Sequence, residues 1–226
     1  MSSSYSKRAT VPATAAACAV TAALLLSGCG STSKTAVADP TSISGAQSAT
    51  PTPTPSPSPS VSMPPAAVLP AGFSIVVDGG TTGNPAKDAV LAANLSFYQA
   101  EYQAIGKQNA DDSLYQQWTG QKDAMFDARA ATKAFIESLV SKNITVVGVL
   151  RIYDEKVQSL TSTDADLTWC EDQSGGHAKN VKTGVVDNSA PDRTDFHYYE
   201  SQLSKNSQGR WITVAIKSIE GDPRCS

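Results

Sequence analysis

Histidine and cysteine are scarce in this chain, with two histidines and four cysteines among 226 residues. His177 and His197 stand far apart and neither neighbours a cysteine, so a zinc centre, with its several nitrogen or sulfur ligands, has no support. The acid-bearing turns Asp164-Ala165-Asp166 and Asp172-Gln173-Ser174 lack the ligand spacing of a dedicated calcium loop. There is no Gly-Lys-Ser/Thr phosphate loop, no Gly-x-Ser-x-Gly nucleophile elbow and no dinucleotide glycine fingerprint. Neither a metal nor a cofactor is therefore expected. Basic residues are outnumbered, 18 Lys and Arg against 21 Asp and Glu, and form no cluster, which argues against nucleic acid as a partner. No apolar run reaches the roughly 20 residues that span a bilayer.

What apolar run there is lies near the start. Lys7 and Arg8 precede an alanine-rich stretch from about Ala13 to Leu26, the charged and apolar regions of a secretory signal. It closes on Leu26-Ser27-Gly28-Cys29, which resembles the lipobox of bacterial lipoproteins. The resemblance implies diacylation of the Cys29 sulfur, cleavage before Cys29 and a signal peptide over residues 1–28. One acyl chain anchors marginally and two anchor stably. The expected address is thus the cell membrane, with the protein lipid-anchored through Cys29 on the extracytoplasmic face. The competing reading is an ordinary secreted protein cut near a cysteine. With Cys18 in the signal and Cys29 acylated, Cys170 and Cys225 remain alone in an oxidising compartment, and a disulfide between them is expected. They stand 55 positions apart, so closure is worth up to about 4 kcal/mol on the chain-entropy account. Reactive or metal-binding thiols are the alternative, although neither cysteine sits in a Cys-x-x-Cys unit.

Residues 29–72 are Ser, Thr, Ala and Pro with almost no large apolar side chain, and Pro alternates with Thr or Ser over 51–59. Such a segment has nothing to bury against the entropy of ordering, so a disordered stalk is expected. Alternating proline favours polyproline II at about 3.1 Å per residue, giving a semi-rigid spacer of roughly 28 Å over 51–59. A docking site for a reader of Pro-rich motifs and an O-mannosylated stalk are compatible readings.

The folded domain is expected over 73–226. Phe73-Ser74-Ile75-Val76-Val77 reads as a lead-in strand or a segment packed on the surface. Asn84-Pro85 opens a helix, Asn as cap and Pro at the first position, and Leu91, Leu95, Tyr98, Tyr102 and Ile105 recur on one face to about Gln108. Asp111-Asp112-Ser113 caps a short helix carrying Leu114, Tyr115 and Trp118. A third helix is expected from about Lys122 to Ser141, with a core face of Met125, Ala128, Ala131 or Thr132, Phe135 and Leu139. From Ile144 the period changes to two, and strands are expected at 144–153, 156–162, 165–171, 194–203 and 211–219, with polar turns between them. In the last strand the alternation puts Ile212, Val214 and Ile216 on one face and Trp211, Thr213 and Lys217 on the other. Helices followed by strands make an α+β domain: three N-terminal helices packed on a curved antiparallel sheet.

This layout resembles the nuclear-transport-factor-2-like cone fold, and it is most similar to actinobacterial lipoproteins built on that fold. The shared features are the Ser/Thr/Pro stalk, Trp169-Cys170-Glu171-Asp172 at a strand end, Gly209-Arg210-Trp211 after a hairpin turn, and the final Cys225. The likeness covers about residues 84–225. It implies a conical cavity between helices and sheet, used by ketosteroid isomerases, polyketide cyclases and limonene epoxide hydrolases of that fold for acid–base chemistry with an Asp in an apolar pocket. Candidates for pocket residues are Tyr98, Tyr102 and Trp118, which core packing also explains. Candidates for catalytic groups are Asp166, Asp195 and His197, none within a matching motif. His197 is either a base titrating near neutrality or a histidine on the wet face of a strand.

Three functions follow as expectations. The first is a lipoprotein presenting a non-catalytic domain that binds a small ligand, a wall component or another exported protein. The second is an isomerase, cyclase or hydrolase using a pocket Asp, and the third is a structural accessory of an envelope complex. A cone filled with Leu, Phe and Trp cannot hold a substrate, whereas an open one with a buried carboxylate and a partner hydroxyl favours the enzyme. Cys29→Ala is expected to release the protein into the medium, and a variant that stays in the membrane fraction would argue against the anchor.

Overall fold

The computed structural model describes residues 63–122 and 127–225. The signal peptide, Cys29, most of the stalk and Met125 lie outside the described residues. Strand β1 (Phe73–Val77) comes first, then helices α1 (Pro85–Gly106), α2 (Ser113–Trp118) and α3 (Ala128–Val140). The sheet continues with β2 (Ile144–Leu160), β3 (Asp164–Asp172), β4 (Gly176–Asn180), β5 (Phe196–Lys205) and β6 (Trp211–Glu220). The domain is thus α+β, and its sheet is mixed. Strand order is β1-β2-β3-β5-β6, with β4 also on β2, and β1 runs parallel to β2 while the other ladders are antiparallel.

Capping sets the starts of α1 and α2 as the sequence suggests, whereas α3, expected from about Lys122, begins at Ala128 behind an Asp127 cap. The Asn84 side chain accepts from the amides of Ala86 and Lys87 at 3.0 and 3.3 Å, with Pro85 in the first turn. Asp112 accepts from the Leu114 amide at 2.9 Å and is itself held by Lys107 at 3.0 Å. Helix α1 stops at Gly106. Gln108 follows with φ 53°, and its side-chain Nε2 donates to the carbonyls of Ile105 and Ile144 at 2.7 and 2.8 Å.

Helix α1 is buried round much more of its circumference than a single stripe. Val90, Asn94, Phe97, Tyr98, Glu101, Tyr102 and Ile105 are all inside, while Leu91 and Leu95 are only half-buried. On α3 the inward residues are Ala128, Thr132 and Ile136, and Phe135, expected in the core, is 42% exposed. These residues meet Leu150 and Ile152 of β2, Leu167 and Trp169 of β3 and Leu203 of β5.

The strands differ from their expected extents for two reasons. Bulges between Tyr153 and Lys156 and again near Val157 bend β2, with Asp154 at φ 54°, so the two strands expected at 144–153 and 156–162 are one long curved strand. A further irregularity beside Gln202 and Leu203 shifts the register of β6, so Trp211 and Thr213 point to the helices before it and Ile216 after it. Strict alternation along β6 therefore fails. Strand β4 carries no β-rich signal, and its residues Gly176 to Asn180 pair with the first part of β2. Residues before β1 also join the domain: the Val68 amide donates to Gln103 Oε1 at 2.8 Å, and Ala67 and Leu69 pack on the core.

Cys170 and Cys225 are bonded, with Cα atoms 5.4 Å apart. The tail is held by more than sulfur. Tyr153 donates its hydroxyl to the Cys225 carbonyl at 2.7 Å, and the Arg224 guanidinium lies 3.4 Å from the Tyr198 ring centre.

Gly148 sits where β2 passes from β4 to β3. Its φ is +94°, its amide donates to Gly72 O at 2.7 Å, and a Cβ there would overlap the Gly175 carbonyl oxygen. Strain and overlap together make Gly148→Ala cost about 2–3 kcal/mol, or roughly 5–10 °C in melting temperature. Differential scanning calorimetry checks this, and an unchanged Tm would show that the crossing tolerates a side chain.

Candidate functional site

Inner-face residues of the sheet and the buried flank of α1 enclose a cavity of about 360 Å³, roofed by α3. Four elements of the sheet and helices place its chemistry. Helix spacing puts Tyr98, Glu101 and Tyr102 within one turn of α1. Alternation along β3 puts Ala165, Leu167, Trp169 and Glu171 inward. Through the β3–β5 register, Trp169 faces Tyr199 and Glu171 faces His197. Thr132 and Phe135 of α3 complete the wall, with Gln173, Ile216 and Ser218 on the sheet side.

The aromatic side chains form a packed unit. The Trp169 indole donates to the Tyr98 hydroxyl at 3.0 Å, and the Trp169 and Tyr199 rings stack at 5.0 Å with 2° between their planes. Tyr98 and Tyr102 run nearly parallel at 6.4 Å. His197 lies beside Tyr199, ring centres 6.1 Å apart.

Two carboxyl groups are buried among these rings. Burial first, and then the neighbouring charge of Glu171, pushes Glu101 from its ordinary value up to about 8. Burial also raises Glu171, although the Tyr98 hydroxyl, Gln173 and His197 all pull it down. Gln173 donates to Glu171 Oε1, whereas Oε2 is buried without a hydrogen bond of ordinary geometry. Burial and the Glu171 charge also hold the hydroxyls of Tyr98, Tyr102 and Tyr199 well above the usual tyrosine range. The buried His197 Nδ1 likewise has no partner. No Lys or Arg lines the cavity among the described residues.

The structure brings only some of the expected residues together. Tyr98 and Tyr102 line the cavity, and His197 stands on its wall rather than on the wet face of the strand. Trp118 is buried elsewhere, under the Arg210 guanidinium at 5.3 Å, beside a separate surface depression that it lines with Trp211 and Lys205. Asp166 points to the opposite face of the sheet and accepts from Ser159 Oγ at 2.6 Å. Asp195 closes a single 3-10 turn, accepting from the Asp192 amide at 2.8 Å, and it too is outside the cavity. Among the described residues no aspartate lines the cavity, and its carboxyl groups are those of Glu101 and Glu171. Both were legible in principle: Glu101 is three residues after Tyr98, and Glu171 is two after Trp169 on the same strand face. A charged residue in such a register reads as a solvated edge until the packing is known.

Among the described residues no group of three or more His, Cys, Asp or Glu is placed to hold a metal, and no helix is long and apolar enough to cross a membrane. No protein family and no curated protein matches the chain. Solved structures similar to it include a ketosteroid isomerase-like protein from Erwinia carotovora atroseptica, at 16% identity and a TM-score of 0.37, covering 60% of this chain and 96% of that one. A protein from Catenulispora acidiphila is similar at 11% identity and a TM-score of 0.38, covering 61% and 95%. Identities and TM-scores this low assign neither family nor activity.

A carboxyl whose folded pKa lies above its unfolded value binds more protons in the folded state, so stability falls as pH rises through that interval. For Glu101 the interval runs from about 4.5 to about 8, and between pH 5 and 8 the loss is about 3 kcal/mol. Glu171 acts in the same direction, while the lowered Asp112, Asp164, Asp192 and Asp222 act at lower pH. Thermal melts should therefore show the wild-type Tm dropping from pH 5 to 8 and Glu101→Gln flattening that drop. Equal slopes in the two proteins would mean that Glu101 is solvated.

Proposed function

We propose that this chain is a lipid-anchored extracytoplasmic protein whose folded domain binds a small organic molecule in the cavity between α1, α3 and the sheet. The anchor rests on Ser27-Gly28-Cys29 behind an apolar signal, and a disulfide between Cys170 and Cys225 is in keeping with an oxidising compartment. The single observation that carries the binding role is the open volume itself. About 360 Å³ walled by Phe97, Tyr98, Tyr102 and Tyr199 is within the range of small-molecule sites, and polar groups converge in it. A cone plugged by its own side chains would have favoured the structural-accessory role instead.

A second reading has its own support. Glu171 and His197 face each other across neighbouring strands, and His197 Nδ1 is unpartnered. A carboxyl that burial makes a weaker acid, set beside an imidazole, is a pair able to move a proton on a bound molecule. This keeps the acid–base enzyme, with glutamates in the role expected of an aspartate.

A fragment screen by protein NMR tests the binding role. Fragments should shift the resonances of Phe97, Thr132, Phe135 and Tyr199 together, and Thr132→Trp, which fills the cavity, should abolish these shifts without lowering Tm by more than about 5 °C. Perturbations spread over the surface, or unaffected by Thr132→Trp, would count against the cavity as the site.

A further inference from the structure

Charge, unpartnered atoms and aromatic faces in the cavity all favour one kind of occupant. Its lining holds two carboxyl groups and, among the described residues, no basic side chain except His197. Two buried atoms there lack a hydrogen bond of ordinary geometry, Glu171 Oε2, a carboxylate oxygen that accepts only and has the Tyr98 hydroxyl nearby, and His197 Nδ1, a ring nitrogen that accepts in the Nε2–H tautomer. Glu171 is 1% exposed, so water does not satisfy it from outside. The walls between these acceptors are the rings of Phe97, Tyr98, Tyr102 and Tyr199, and Tyr199 is held by its stack on Trp169.

We propose that the cavity receives a protonated amine, its ammonium held between Glu101 and Glu171 and its apolar body laid against the aromatic wall. The proposal rests on the cavity being a small-molecule site and names the chemical class that the site takes. An ammonium group has donors and no acceptor, so it complements a lining whose charged groups are the Glu101 and Glu171 carboxyls. It also gains from the faces of the aromatic rings around it. A neutral or anionic ligand gives up the charge attraction, and an anion would add a third negative group to a site already short of counter-charge. A hard divalent metal is a poorer match, since it takes six or more oxygen ligands and the described residues bring no cluster of three ligating side chains together.

Proton linkage provides a signature. In the empty cavity Glu101 is protonated below about pH 8, facing Glu171, Tyr98, Tyr102 and Tyr199, with His197 also lining the cavity. A bound ammonium favours the ionised carboxylate, so binding near pH 7 expels up to one proton. Affinity should therefore climb by up to about tenfold per pH unit towards pH 8.

Isothermal titration calorimetry on the full chain tests this with 2-phenylethylamine, 2-phenylethanol and 3-phenylpropanoate. The amine should bind at least about tenfold more tightly than the alcohol at pH 7.5. Its heat should vary with the ionisation enthalpy of the buffer, reporting proton release. Glu171→Gln should weaken the amine by about tenfold or more and leave the alcohol within about threefold. Should that variant fail to fold, Glu101→Gln takes its place, and the wild-type amine-to-alcohol ratio and proton release need no variant. If the alcohol or the carboxylate binds as tightly as the amine, the cationic ligand is wrong and the small-molecule site stands. If none of the three binds at millimolar concentration, the small-molecule site falls with it.

Discussion

Tyr98 joins the helix layer to the sheet. Its ring meets Trp169 edge-on at 6.0 Å and its hydroxyl accepts the Trp169 indole N–H at 3.0 Å, 71 residues away in sequence. This contact sets how deep α1 sits in the curve of the sheet and so how much space remains between them. Trp169 in turn stacks on Tyr199, which Tyr98 also meets edge-on at 6.3 Å, and the three rings span α1, β3 and β5. Burying aromatic area in this way is worth several kcal/mol per ring, and it fixes the wall on which the polar groups are mounted.

Against that wall the burial of Glu101 and Glu171 is costly. An ionised carboxyl in apolar surroundings loses hydration that only a cation or several donors restore. Here Gln173 and Tyr98 offset part of the cost at Glu171, and protonation removes most of it at Glu101. A domain folding for stability alone would fill the same positions with leucine or phenylalanine. Two acids without a Lys or Arg partner beside an open volume are what the proposed binding role accounts for. Asn94 and Glu155 provide a contrast: that half-buried acid is also raised by burial, but its carboxylate accepts from Asn94 Nδ2 at 3.1 Å and it does not line the cavity.

Local chemistry explains why part of this was readable. Asn84-Pro85 and Asp112 determine where helices begin because capping depends on a few adjacent atoms. The cysteines paired as expected because only two remain once Cys18 and Cys29 are assigned. Errors arose where local patterns meet distant neighbours. Bulges in β2 and an irregularity at β6 break alternation at points that no residue type announces, and the second puts Trp211 on the same face as Ile216 where strict alternation sets them on opposite faces. Phe135 was expected inside by its spacing, yet Ile136 took the core because α3 lies across the cavity mouth. Asp166 and Asp195 went to a sheet face and a turn cap, where short acidic side chains find nearby donors.

By itself the sequence determined the three helices in their order, the caps of α1 and α2 and which two cysteines pair, since helix starts depend on neighbours along the chain and the pair on how few cysteines there are. Tertiary structure alone decided that a cavity stays open, that Glu101 and Glu171 share it and that His197 faces it rather than water. Those facts depend on strand register and on the depth at which α1 packs, quantities set by contacts between residues dozens of positions apart.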